Sequence, residues 1–137
     1  MALSRADHES NSIAFSDTLE HWEGRHTVQV PRRPWEIIQL GNCGSPIETE
    51  IGWLVLTHAV GPMRTYYISA MLLDLEDPTK VIASLDEPLL SPSSEARHGY
   101  VPNVVYSCGS LCVNDILMLP FGIADQSIGV ATARVSM

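Results

Sequence analysis

No stretch of this 137-residue chain approaches the roughly 20 consecutive apolar residues that a membrane-spanning helix requires. The first eleven residues are polar and lack the apolar centre of a secretory signal, so the expected location is cytoplasmic and no membrane partner is expected. Basic charge is scarce as well: 8 Lys and Arg stand against 16 Asp and Glu, for a net charge of -8. Nucleic acid and anionic lipid surfaces both demand a basic footprint, and neither is an expected partner. Three cysteines, Cys43, Cys108 and Cys112, are too few and too oddly spaced for a disulfide framework or a zinc site. They read as buried reduced thiols, with no bound metal. Helical periodicity is missing too. Only the segment 17–22 leaves room for a short helical turn, capped by Ser16 or Asp17.

What the chain does contain is punctuation. Nine Gly and nine Pro in a composition that is 45% hydrophobic describe one globular domain, residues 1–137, with many turns. Short runs rich in β-branched, aromatic and aliphatic residues recur at 13–16, 37–40, 53–58, 65–73, 81–85, 101–108, 116–121 and 128–135. Each is bounded by Gly, Pro, Asn, Asp or Ser, as strands are. The fold class is therefore all-β, organised as a sandwich, a barrel or a propeller. A loose internal repeat favours the propeller. Glu50-Ile51-Gly52-Trp53-Leu54 and Asn114-Asp115-Ile116-Leu117-Met118 each open an apolar strand. Each strand is followed by a corner of small residues, Ala59-Val60-Gly61 and Gly122-Ile123-Ala124, and then by another apolar strand, as neighbouring blades would be.

Several ordered motifs carry more specific information. They are Ser16-Asp17-Thr18-Leu19-Glu20-His21-Trp22, the stretch from Gly44 through Val60 that contains Gly52-Trp53-Leu54-Val55 and Thr57-His58, and Ala70-Met71-Leu72-Leu73-Asp74. Pro88-Leu89-Leu90-Ser91-Pro92, Gly99-Tyr100-Val101-Pro102-Asn103-Val104-Val105-Tyr106 and Phe121-Gly122-Ile123-Ala124-Asp125 follow in order. This series resembles glycoside hydrolase family 130, the mannoside phosphorylases and β-mannosidases. The resemblance implies a partial five-bladed β-propeller comprising about the last two to three blades, with the N-terminal blades absent. It also implies a β-mannoside oligosaccharide as substrate, cleaved in a single inverting step, with no cofactor beyond inorganic phosphate as co-substrate. An Asp general acid expected in an earlier blade has no counterpart here, so the catalytic residue is unknown and the isolated chain is expected to be inactive.

The resemblance places His58 against the sugar, where an imidazole bridges hydroxyls as donor and acceptor; a satisfied core histidine is the alternative. Tyr67 matches a sugar-contacting tyrosine, and strand alternation then turns Tyr66 to the opposite face for packing. Asp125 matches a carboxylate that accepts hydrogen bonds from mannosyl hydroxyls, with a turn aspartate as the alternative. Tyr106 matches an aromatic at the sugar site, and Asn103 is a ligand contact or a blade hydrogen bond. Arg64 is a candidate for the aglycone side or for an anion. The phosphate region falls at Gln39 and at the Gly41 to Gly44 turn containing Asn42. Gln39 stands where many phosphorylases of the family have a lysine, and a neutral amide binds a dianion less well. Arg5 is a candidate upstream partner for phosphate.

Three readings follow. One is an enzyme portion completed by further blades. The second is a sugar-binding module without chemistry. The third is a half-propeller that closes through a homo-oligomer or another chain, since open blades leave sheet faces and edges uncovered.

Overall fold

The computed structural model describes residues 1–135 and places their strands in three antiparallel sheets. The first holds β1 (Ala2–Ser4), β2 (Asn11–Phe15) and β3 (Glu23–Gln29) in that order. The second holds β4 (Gln39–Asn42), β6 (Trp53–Val60), β7 (Tyr66–Leu73) and β8 (Val81–Ser84), with β5 (Ile47–Glu48) paired to the start of β6. The third is built on β10 (Leu111–Val113), β11 (Ile116–Ile123) and β12 (Ser127–Arg134), with β9 (Val105–Tyr106) paired to the end of β11.

The middle sheet is packed on both faces, which explains why β6 and β7 read as nearly unbroken apolar runs. Side chains alternate along a strand. Val55, Met71 and Leu73 point one way and join Ile13 of the first sheet in one core cluster. Leu56, Ile68 and Ala70 point the other way and join Cys43, Val105, Leu117 and Leu119 between the second and third sheets. The β6–β7 register pairs His58 with Ile68, Ala59 with Tyr67 and Val60 with Tyr66. The internal repeat is structural: β6 with β7, and β11 with β12, are matching hairpins of adjacent sheets.

Several expectations are corrected. The run 101–108 is laddered only at Val105–Tyr106. Pro102 lacks the N–H a ladder needs, and Asn103 adopts a left-handed φ of 61° that interrupts extended backbone. The strand expected at 37–40 begins and ends two residues later, because Ile37 closes a 3-10 turn, Pro34–Glu36. Strands β1 and β3 had no apolar signature; the β3 sequence is EGRHTVQ and mostly exposed. Residues 17–22 form no helix. Ser16 Oγ instead accepts hydrogen bonds from the Thr18 and Leu19 amides at 3.3 and 2.8 Å, the local competition that draws Ser away from helices.

Truncating the two-sided core should be costly. Ile68 is fully buried, so Ile68→Ala is expected to remove about 2 to 5 kcal/mol of stability. Ile128 is 84% exposed, and Ile128→Ala should change stability by no more than about 0.5 kcal/mol. Urea denaturation midpoints check both, and equal losses would contradict the assigned core.

Candidate functional site

A cavity of about 510 Å³ opens where the β6–β7 turn, the segment 101–106 and the β11–β12 turn meet. Its lining includes Arg64, Tyr66, Asn103, Tyr106 and Asp125, with Met63, Val101, Pro102 and Val104 supplying apolar surface. The volume lies within the range of small-molecule pockets, and the mixture of mostly apolar walls with a few polar groups is the usual makeup of such pockets.

Backbone hydrogen bonds tie the three segments together. The Tyr66 amide donates to the Asn103 carbonyl at 2.9 Å, the Ala124 amide to the Val104 carbonyl at 2.9 Å, and the Val101 amide to the Ala124 carbonyl at 3.0 Å. Left-handed backbone concentrates here. Met63, Arg64, Asn103 and Asp125 have φ values of 58°, 55°, 61° and 51°. Asn and Asp tolerate this region, but Met and Arg meet a Cβ clash that the surrounding structure must outweigh. Such strain clusters at functional sites.

Beneath the aromatic wall sits His58, 8% exposed. Its ring lies 5.1 Å from Tyr106 and stacks at 6.3 Å on Tyr66, centroid to centroid. Gly41, paired with His58 across β4 and β6, makes room for that ring, since a Cβ there would collide with it. Burial pushes the His58 pKa down to about 4 from 6.5, helped by the charge of Arg5 and opposed by the Asn42 backbone. The imidazole is neutral at pH 7. Cys43 Sγ lies 3.9 Å from His58 Nδ1, and burial pushes this thiol up to about 12, which removes thiolate chemistry from it. Tyr106 is also raised, first by burial and then by Cys43 and Cys108, so its hydroxyl remains a donor.

The cavity gathers Arg64, Asn103, Tyr106 and Asp125 from the sequence-based candidates and places His58 behind them. Tyr67 is not among them. It pairs with Ala59 on the opposite face of the sheet and packs edge-on against Trp35 at 6.1 Å; Tyr66 takes the cavity face. The sequence alone left this open, because the face each tyrosine takes depends on the hairpin register; the observed pairing of His58 with Ile68 puts Tyr66 on the His58 face and Tyr67 on the other. Gln39 and Asn42 lie at opposite ends of β4, three residues apart and therefore on opposite faces. Gln39 shares the face of Gly41 and His58, and Asn42 does not. Arg5 Nη1 reaches the Leu40 carbonyl at 3.5 Å, on the flank of the same strand. The three cysteines are free, with Cys43 buried but Cys108 exposed and Cys112 half-buried, so the expectation of buried thiols holds only for the first. Among the described residues no three His, Cys, Asp or Glu side chains converge on a point, and no helix is long and apolar enough to cross a membrane.

Comparison with known proteins supplies the context. The family model for glycoside hydrolase family 130, described as beta-1,4-mannooligosaccharide phosphorylase, matches residues 1–137. The chain belongs to glycoside hydrolase family 130. A 1,2-β-oligomannan phosphorylase of Thermoanaerobacter sp. (strain X514) is 44% identical over 121 residues, covering 87% of this chain and 41% of that protein. The β-1,2-mannobiose phosphorylase of Listeria innocua, solved with β-1,2-mannobiose, superposes with a TM-score of 0.86 at 30% identity. That alignment covers 92% of this chain and 36% of the solved one. The three sheets are thus part of a family 130 five-bladed propeller, and the chain spans about two fifths of the length of these relatives.

The His58 environment makes a pH prediction. The unfolded chain binds a proton below about pH 6.5, and the folded chain only near pH 4. The stability His58 contributes as a neutral group is whole above pH 6.5 and falls progressively as pH drops through about 4. Asp7, held down to about 2 by the Ser10 and Glu9 amides, acts in a lower window. Melting temperature should therefore decline between pH 6.5 and 4, and His58→Asn should flatten that slope. Parallel slopes in the two proteins would show that His58 is not buried neutral.

Proposed function

We propose that this chain is the sugar-contacting portion of a family 130 β-mannoside phosphorylase, with the cavity receiving a mannosyl unit. The observation that carries this reading is the convergence of Tyr66, Asn103, Tyr106 and Asp125 from separate segments on one strained, aromatic-walled pocket. Tyrosine rings offer apolar faces to the C–H side of a pyranose. Asp125 accepts from hydroxyls, Arg64 donates, and Asn103 does both. Neither Arg64 nor Asp125 forms an ion pair among the described residues, and both are exposed, so their hydrogen-bonding capacity is available to a neutral polyol.

The chemistry in this reading is inverting transfer. The C1–O bond to the leaving sugar breaks as an acceptor oxygen bonds to C1 from the opposite face, and a carboxylic acid protonates the departing oxygen. The general acid belongs to a segment outside this chain, which is therefore inactive by itself and works in the cytoplasm when completed by its N-terminal blades. Relatives named as phosphorylases favour phosphate as acceptor, while the neutral Gln39 favours water.

A second reading is favoured by one feature. The outer face of the third sheet exposes Leu111, Met118, Ile128 and Val130 at 61, 44, 84 and 62%. An apolar face of this kind suits closure of the propeller by another copy or a complementary chain, with mannoside bound but not cleaved.

Calorimetric titration of β-1,2-mannobiose tests the first reading. Binding by the chain is expected, with Asp125→Asn and Tyr66→Ala each weakening it about tenfold or more, the scale of a lost charged hydrogen bond or ring contact. Tyr67→Ala, off the cavity, is expected to cost stability and to weaken binding less than either cavity variant. Mannose 1-phosphate release should be absent from the chain alone. Release by the chain alone, or affinity unchanged in both cavity variants, would contradict the proposal.

A further inference from the structure

On the side of the β6–β7 turn away from the cavity, the 3-10 turn Pro34–Glu36 forms a compact clamp. Its centre is Glu36, whose side chain is fully buried. Glu36 Oε1 accepts from the backbone amides of Arg32 and Arg33 at 2.8 and 2.9 Å and from Arg33 Nη1 at 3.4 Å. A buried carboxylate calls for donors; those on Oε1 define the path of residues 32–36, while Oε2 has no partner among the described residues. The other end of the Arg33 guanidinium donates to Asp86 Oδ1 at 2.9 Å and Ser84 Oγ at 3.0 Å. Its carbon lies 5.9 Å over the Trp35 ring. Trp35 is fixed in turn: Nε1 donates to the Asp86 carbonyl at 3.0 Å, and the ring meets Tyr67 edge-on. None of these groups faces the sugar pocket.

Gly61 connects this clamp to the cavity. It opens the turn that carries Met63 and Arg64, and its amide donates to the Thr65 carbonyl at 3.0 Å. A Cβ at Gly61 would come within 2.8 Å of the Trp35 carbonyl oxygen, so the turn rests directly on the Trp35 backbone. Two consecutive left-handed residues, Met63 and Arg64, need such a support, because their backbone alone disfavours the conformation. We infer that Trp35, locked by Glu36, Arg33 and Tyr67, is a positioning residue that holds the Met63–Arg64 rim over the cavity. The inference rests on the mannoside reading of that cavity. It also gives Tyr67 a place in sugar recognition that needs no contact with sugar.

Amide NMR spectra and calorimetric titration with β-1,2-mannobiose, on fully folded samples of the chain, test it. Trp35→Ala is expected to shift the Gly61 and Thr65 amide resonances, speed their hydrogen exchange, and weaken mannobiose binding about tenfold through rim displacement. Trp35→Phe, which keeps a ring against Tyr67, should restore most of the affinity. A purely structural tryptophan would lower the melting temperature while leaving the affinity of the folded protein unchanged, and that result overturns the inference. Should Trp35→Ala fail to fold, Asp86→Ala removes Arg33's exposed partner. It should move the Trp35 indole and Gly61 amide resonances in a common direction, and unmoved resonances overturn the inference. If the wild-type chain takes no mannobiose, the reading of the cavity fails, and the Gly61 and Thr65 amides alone decide whether Trp35 supports the rim.

Discussion

The burial of the β6–β7 hairpin on both faces is the constraint on which the rest of the molecule depends. Val55 and Met71 commit one face to the first sheet, and Leu56 and Ile68 commit the other to the third. A strand whose two faces are both spoken for has no spare register. Slipping by one residue would exchange the two apolar sets and carry His58 and Tyr66 away from Tyr106. Core packing and cavity geometry are thus a single condition: the apolar contacts that stabilise the hairpin also decide which tyrosine faces the cavity.

Electrostatically the site is layered. At its floor, burial keeps His58 uncharged and Cys43 protonated, so the groups there are neutral donors and acceptors. At its rim, Arg64 and Asp125 are exposed, so neither side chain meets the desolvation cost of a buried pair. A polar, uncharged guest suits this gradient.

Much of the architecture was legible in the residues because buried strands carry their own signal. The β6, β7, β11 and β12 runs stand out as apolar and β-branched, and their repetition announced matching hairpins. The strand β3 was silent because it is exposed along most of its length and contains Glu23, Gly24 and Arg25, which no packing requirement excludes at that edge. The segment 101–106 was misread as a full strand because Val and Tyr dominate it, while Pro102 and the left-handed Asn103 redirect the chain. Candidate residues of the cavity were legible only through family resemblance, and Tyr67 falls on the far face, with Tyr66 toward the cavity, because alternation assigns faces only once the hairpin register is known. The clamp around Glu36 had no local signature, since its partners Ser84 and Asp86 lie about fifty residues away.

The contact between Gly41 and His58 reaches beyond this one chain. The imidazole fills the volume that a methyl group would take on the neighbouring strand, so the two positions share one allotment of space. An alanine can enter at 41 only where something smaller or differently turned replaces the histidine. Among descendants of a common ancestor the pair is therefore free to drift only jointly. Glycine at 41 is thus held by the imidazole across the strand and not by any turn it makes.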